Sequence, residues 1–113
     1  MAQNYYTYDQ GSVNGQIAMN VYVYDVIVKE TVSKMDNVRL DTSKGFLLQG
    51  TKSHVSCSIN NNEVYIEIHV RIKYGVKVSV VTKLIQENIQ TAIKELTGVI
   101  VKHIDIVVDD IDF

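Results

Sequence analysis

A stretch in the second half of the chain, residues 63–74, alternates apolar and polar side chains without interruption. Successive side chains of a β-strand point to opposite faces, so this period of two predicts a long strand with one packed face and one polar face. The apolar positions are Val64, Ile66, Ile68, Val70 and Ile72. The polar positions are Tyr65, Glu67, His69, Arg71 and Lys73. Any fold of this chain must therefore cover one side of this strand and leave the other side open.

The segment that follows changes to a helical period. Residues 79–97 predict an amphipathic helix, capped at its start by Ser79 and closed by Gly98 in the left-handed conformation. Asn88 lies inside the apolar arc, so we expect a buried amide bonded to backbone or to a group of the hairpin. The apolar stripe is Val81, Leu84, Ile85, Ile89, Ala92 and Leu96. A last strand is predicted within residues 99–108, with Ile100, Ile104, Ile106 and Val108 facing the core.

The first half contains a less obvious helix. Residues 20–36 are rich in β-branched side chains, which favours a strand. As a strand, however, the segment would carry charges on both faces, whereas at helical spacing its apolar residues form one stripe. Asn20 is a suitable N-cap, so we predict a helix. Tyr22 and Val26 fall outside the stripe and are candidates for a contact surface.

The remaining segments complete the expected topology. Residues 13–19 and 54–59 predict short strands, and the asparagines at 60–62 predict a hairpin turn into the long strand. Residues 38–53 show no period and predict a loop, and residues 1–12 predict an N-terminal tail preceding a single domain at 13–113. The expected fold is α+β, in two layers, with the order β-α-β-β-α-β: a mainly antiparallel sheet carrying two helices on one face.

Composition excludes several functional classes. The chain has 11 basic and 13 acidic residues, so its net charge of −2 gives no general attraction to nucleic acid or anionic lipid. A single cysteine, Cys57, excludes an internal disulfide. No apolar run approaches the length of a membrane span, and the N-terminus lacks the pattern of a secretion signal. We expect a cytoplasmic protein that does not insert into the membrane directly.

The sequence contains no motif of catalysis or cofactor binding. It has no glycine-rich phosphate loop and no H-E-x-x-H or C-x-x-C motif. His54 and Cys57 are three residues apart in a predicted strand, so they point to opposite faces and cannot pair locally. His69 and His103 would share the open face if their strands were neighbours. Histidines so placed can bind a metal, but solvated side chains are commoner at such positions. We therefore expect no catalytic residue, metal or cofactor.

Three short stretches resemble a known family. They are RIKYGV at residues 71–76, IQENI at 85–89 and ELTGV at 95–99. Together with weaker similarity from residue 15 onward, they resemble the alkaline shock protein family of Gram-positive bacteria, small proteins of the envelope and general stress response. The resemblance spans residues 15–108.

The resemblance implies a non-enzymatic scaffold or interaction protein. Some relatives self-associate and lie beneath the membrane through a membrane-anchored partner, so we expect homo-oligomers and a protein partner of this kind. The alternative is a nucleic-acid-binding module, in which aromatic and basic side chains of the open sheet would contact bases and phosphates. The candidate interaction residues are Tyr22, Val26, Tyr65, Glu67, His69 and Arg71.

Overall fold

The long alternating stretch forms the central strand of a sheet. The computed structural model describes residues 5–8, 17–41 and 54–113. In chain order the elements are β1 (Tyr5–Tyr8), β2 (Ile17–Asn20), α1 (Val21–Ser33), β3 (Val38–Leu40), β4 (Val55–Asn60), β5 (Glu63–Lys73), α2 (Val78–Thr97) and β6 (His103–Asp112). The α+β class, with two helices and a mainly antiparallel sheet, is confirmed. Two short strands, β1 and β3, are additions to the predicted order.

Strand β5 has neighbours on both sides. Strands β4 and β3 pair antiparallel with successive parts of one edge, and β6 pairs parallel with the other. The β4–β5 turn has Asn61 and Asn62 at positive φ, 52° and 57°, which confirms the predicted asparagine hairpin. Parallel pairing of β5 with β6 requires a crossover, and α2 supplies it.

The core lies on one face of this sheet. The five apolar residues of β5 are buried, and the buried residues of both helices pack in the same cluster. Helix α1 contributes Tyr24, Ile27, Val28 and Val32, and helix α2 contributes Val81, Ile85, Ile89 and Ile93. Since burying one such side chain stabilises the fold by about 1.5–3 kcal/mol, this cluster accounts for the two-layer arrangement. The other face of β5 is left to polar side chains.

Helix α1 forms despite its valines, as its stripe and cap predict. The side chain of Asn20 accepts a hydrogen bond from the Tyr22 backbone N–H at 2.9 Å. The stripe residues are those that pack on the sheet, so burial outweighs the modest β propensity of the segment.

Helix α2 differs from its prediction in three respects. It begins at Val78 after Lys77, so Ser79 is not the cap. Leu84, Asn88 and Leu96 are exposed, and Ile93 is buried instead. The reason is geometric. The residues at steps of four from Val81 face the sheet, and this row is narrower than the apolar arc predicted from the sequence. The termination by Gly98 is confirmed, with a φ of 79° and its N–H donating to the Lys94 carbonyl at 2.8 Å.

Two other amides of α2, which are less buried than we expected of Asn88, bond to backbone carbonyls. Gln86 donates to the Ile104 carbonyl at 3.1 Å, and Gln90 donates to the Val101 carbonyl at 2.9 Å. Ile100 is exposed, contrary to its predicted place in the core, because the ladder starts only at His103 and the segment before it buries Val99 and Val101.

Strand β6 contains a β-bulge. Val70 is opposite Val108, but Arg71 is opposite Asp110, so Asp109 is an extra residue. A bulge changes which face the following side chains occupy. Ile111 accordingly packs against the core, and Asp112 reaches the open face.

The N-terminal half departs most from expectation. Residues Tyr5–Tyr8, predicted as part of a tail, form β1 and pair antiparallel with β2 in a separate two-stranded sheet. The side-chain amide of Asn62 bonds both backbone groups of Thr7, at 2.9 and 3.1 Å, and so joins β1 to the β4–β5 turn. The predicted loop at 38–53 begins instead with β3, while residues 42–53 and 9–16 lie outside the described residues. The division into a tail and a domain at 13–113 stays a prediction.

Candidate interaction surfaces

Strand β5 places four of the six candidate residues on the open face of the sheet. Tyr65, Glu67, His69 and Arg71 alternate with buried residues and so project to the side away from the helices. His103 of β6 is opposite Tyr65, and Asp105 is opposite Glu67. The two strands are neighbours, so His69 and His103 do share this face. Each histidine, however, contacts a different set of carboxylates.

Tyr65 belongs to a three-residue arrangement at one end of the face. Its ring stacks on the ring of His103, with 4.1 Å between centroids and 10° between planes. His103 Nε2 lies 2.9 Å from Glu63 Oε1, and this hydrogen bond is the main cause that lowers the pKa of Glu63. The Tyr65 hydroxyl lies 3.4 Å from the same Glu63 oxygen. One side of the Tyr65 ring is therefore already occupied within the protein.

Arg71 joins three separate segments at the other end of the face. Its Nε donates to Asp112 Oδ1 at 2.8 Å, and its Nη2 lies 3.3 Å from Asp110 Oδ2. Its Nη1 lies 3.9 Å from Asp41, the buried residue that follows β3. Arg39 of β3 also donates to Asp112, at 2.7 Å. These hydrogen bonds from Arg39 and Arg71 lower the pKa of Asp112.

His69 lies between these two groups. Its Nδ1 is 3.0 Å from Asp109 Oδ2, and its Nε2 is 3.4 Å from Glu67 Oε1. In the part of the chain that the structure describes, no three His, Cys, Asp or Glu side chains converge in a way that could hold a metal ion. The expectation that the protein has no cofactor stays a prediction.

The open face is acidic. Among the described residues, six carboxylates on this face and its edge outnumber three lysine and arginine side chains. The acidic residues are Glu63, Glu67, Asp105, Asp109, Asp110 and Asp112, and the basic residues are Arg39, Arg71 and Lys73. Moreover, Arg39 and Arg71 are already paired with carboxylates. A phosphate backbone would meet net repulsion here, since such contacts depend on unpaired cations.

The other two candidate residues lie on the opposite side of the molecule. Tyr22 and Val26 of α1 are 67% and 47% exposed. Val26 lines a groove of about 520 Å³ between the two helices, together with Leu96 of α2, which is 71% exposed. Glu30, Lys34 and Glu95 also line it, so its charged residues are of both signs. The six candidates thus form two surfaces: the acidic sheet face and the apolar helix layer.

A comparison with models of protein families identifies the family of this chain. The model of the alkaline shock protein 23 family, described as having a cell envelope-related function, matches residues 9–113. The chain belongs to this family. The predicted resemblance is confirmed, and the match extends beyond residues 15–108 at both ends. No curated protein and no solved structure matches the chain.

Membership in the alkaline shock protein 23 family indicates a cell envelope-related function. The family is not known as an enzyme family. Among the described residues of this family member, neither helix has both the length and the apolar character needed to cross a membrane. Burial raises the pKa of the Cys57 thiol to about 12, so this thiol is protonated at neutral pH and is a poor nucleophile.

Several residues of the two surfaces were not predicted. Arg39 is 73 positions from Asp112, and Arg71 is 39 positions from Asp110 and 41 from Asp112, so only the strand pairing brings these ion pairs together. Leu96 was assigned to the core because it continues the apolar stripe of α2. The sequence does contain one signal for the ion pairs, the C-terminal run Asp109-Asp-Ile-Asp112. Aspartates that lie close together in a sheet are stabilised by basic side chains on the neighbouring strands.

Proposed function

We propose that this protein is a non-enzymatic interaction protein of the envelope or general stress response. It self-associates through its helix layer and presents its sheet to a second protein. The observation that carries the proposal is the pair Val26 and Leu96, which remain exposed on the two walls of one groove after the core is filled. Exposed apolar residues are common when they stand alone, whereas a groove with apolar side chains on both walls is typical of a contact site.

A second copy of the chain is the occupant that the charges favour. Basic and acidic residues are nearly balanced on α1 and α2, and the groove itself is lined by Glu30, Lys34 and Glu95. Two copies can meet here without aligning like charges, and Lys34 of one copy can approach a glutamate of the other. The sheet face, with its excess of carboxylates, would repel its own copy. Self-association is therefore assigned to the helices and partner binding to the sheet.

A partner protein bound to the sheet would determine where this protein is located in the cell. A membrane-anchored protein with a basic cytoplasmic segment would hold the chain beneath the membrane, with no membrane-spanning helix needed in this chain. Tyr65 is the candidate anchor on the sheet and Tyr22 the one beside the groove, since buried aromatic side chains contribute most of the affinity at protein interfaces. Glu67 and Arg71 are candidates for orientation and specificity.

Sedimentation velocity over a range of protein concentrations tests the self-association. We expect the weight-average sedimentation coefficient to rise with concentration, and Leu96→Ser to reduce this rise. Leu84→Ser is the matched control, because Leu84 is an exposed leucine of the same helix that does not line the groove. A chain that stays monomeric at every concentration contradicts self-association. Equal effects of the two substitutions would place the contact outside the groove.

The nucleic-acid alternative is tested separately by gel shift with RNA and single-stranded DNA at low and high salt. The excess of carboxylates on the sheet and the stacking of Tyr65 on His103 count against it. We expect no retarded species at any salt concentration. A complex that weakens steeply as salt rises would favour this alternative over partner binding by the sheet.

A further inference from the structure

Strand β6 leaves one edge of the sheet unpaired. Within the described residues it pairs only with β5. The backbone N–H of His69 in β5 donates to the His54 carbonyl at 2.9 Å, and its C=O accepts from the Asp41 N–H at 2.8 Å. Both backbone groups of His69 therefore point away from β6. Val107 of β6 is opposite His69, and in a parallel ladder its backbone groups must then point to β5 and form the bonds between the two strands. The backbone groups of the residues before and after Val107 point away from β5. The N–H and C=O groups of Ile106 and Val108 therefore face the free edge.

One backbone group at each end of this edge is hydrogen-bonded by a side chain of the protein. At one end the Ile104 carbonyl accepts a hydrogen bond from Gln86 at 3.1 Å. At the other, the Ile111 N–H donates to the Asp110 carboxylate at 2.8 Å. Between them, the backbone groups of Ile106 and Val108 have no partner among the described residues. Unpaired groups of this kind are a template for an added strand.

The side chains beside this open window are acidic. Asp105 is exposed and has no ion pair within the described residues, and Asp109 and Asp110 lie on the same side after Val107. A second β6 strand would place this row of carboxylates opposite itself, which is destabilising. A segment with lysine or arginine facing Asp105 would instead gain an ion pair with a carboxylate that is otherwise unpaired in the described part of the chain, and a second basic residue facing Asp109 would share a carboxylate that His69 already contacts.

We propose that the edge of β6 between Ile104 and Ile111 accepts an extended basic segment of a partner protein as an added strand. The proposal rests on the partner-binding half of the proposed function and is independent of self-association. In the added strand, two basic residues lie four positions apart, opposite Asp105 and Asp109. A small apolar residue between them lies opposite Val107.

A short labelled peptide tests this proposal by fluorescence anisotropy. The probe is Lys-Thr-Val-Thr-Lys flanked by glycines, and the charge control replaces both lysines with glutamate. Two further peptides carry N-methyl groups, either on the two threonines or on the lysines and the valine. Alternate residues of an added strand bond the edge, so we expect one of these two peptides to lose binding and the other to retain it. Attraction between side chains alone would not distinguish them.

Two variants of the protein locate the binding site. Asp105→Asn should weaken binding of the lysine peptide about two- to fivefold, which is the size of an exposed ion pair. Ile106→Pro removes an edge N–H that β5 does not use, and should weaken binding about three- to tenfold. Should Ile106→Pro fail to fold, the N-methyl pair still decides the question on the unaltered protein. Amide hydrogen exchange should slow at Ile106 and Val108 when the lysine peptide is added.

Three results would overturn the proposal. The first is equal binding of the two N-methyl peptides, and the second is equal binding of the lysine and glutamate peptides. The third is slower hydrogen exchange at the amides of Ile106 and Val108 when the protein concentration is raised without peptide. The last result would identify a second copy as the occupant. Sedimentation separates this proposal from self-association: Leu96→Ser should alter sedimentation without altering peptide binding, and Asp105→Asn should do the reverse.

Discussion

Ile93 and Leu96 lie one turn apart near the end of α2, and they should respond to truncation in opposite ways. Ile93 is 0% exposed and lies in the core cluster, whereas Leu96 is 71% exposed. Ile93→Ala removes three buried carbons and leaves a cavity, so it should lower the free energy of unfolding by about 2–5 kcal/mol. For Leu96 less than a third of the surface is covered, and burying a whole leucine contributes about 1.5–3 kcal/mol. Leu96→Ala should therefore cost less than about 1 kcal/mol.

Urea unfolding followed by circular dichroism measures both values. The protein concentration must be low enough to keep the chain monomeric, because the proposed self-association also involves Leu96 and would stabilise the wild type by mass action. The slope of the unfolding free energy with urea should stay unchanged in both variants, so the midpoints report stability directly.

The comparison discriminates between two rotations of α2 about its axis. The apolar stripe in the sequence includes Leu96 and leaves out Ile93, whereas the structure turns Ile93 toward the sheet. A loss for Leu96→Ala as large as that for Ile93→Ala, measured on the monomer, would refute the orientation described here. It would also remove Leu96 from the groove.

Two further predictions concern the open face and the N-terminal strand. Asn62→Gly keeps the positive φ of the turn but removes the amide that bonds Thr7, so hydrogen exchange at Thr7 should accelerate, while the matched Asn61→Gly should leave it unchanged. The pKa of Asp112 is lowered from 3.8 by the hydrogen bonds from Arg39 and Arg71, so its contribution to stability is present above pH 3.8 and is lost as the pH falls through the lower folded-state pKa. Asp112→Asn should thus unfold at lower urea near neutral pH and lose less stability on acidification than the wild type, and a parallel pH dependence of the two proteins would contradict this.

The sequence predicts those parts of the fold in which local pattern and tertiary contact agree. In β5 the period of two coincides with burial at every step, and the asparagines of the turn adopt the positive φ that they tolerate. Helix α1 was predicted against its β propensity because its cap and its apolar stripe both required a helix, and the same stripe is buried.

The short strands could not be predicted because a period needs length. Strand β3 has three residues and β1 has four, too few to show an alternation. Their pairing comes from elsewhere in the chain: β3 adds to an edge of β5, and Asn62 bonds Thr7 across 55 positions. Propensity carries no information about such partners.

The candidate surfaces were predicted in part for a related reason. Alternation shows which side of β5 is polar, and so it placed Tyr65, Glu67, His69 and Arg71 on one face. It does not show which strands lie beside β5. The aspartates of β6 make this face acidic, and Asp110 and Asp112 pair with its arginines; both effects depend on that neighbourhood. The result is a face less suited to phosphate than its own side chains suggest.

The bulge in β6 connects the end of the sequence with both the fold and the proposed edge. Had β6 continued in regular alternation after Val108, Asp110 and Asp112 would point into the core and Ile111 toward water. Burying two carboxylates in this way would cost several kcal/mol each, far more than the disruption of one step of the ladder. The extra residue, Asp109, reverses the alternation, so that Ile111 packs and Asp112 reaches Arg71. The same reversal brings Asp110 to the Ile111 N–H, so this donor of the free edge is satisfied beside the open backbone groups of Ile106 and Val108.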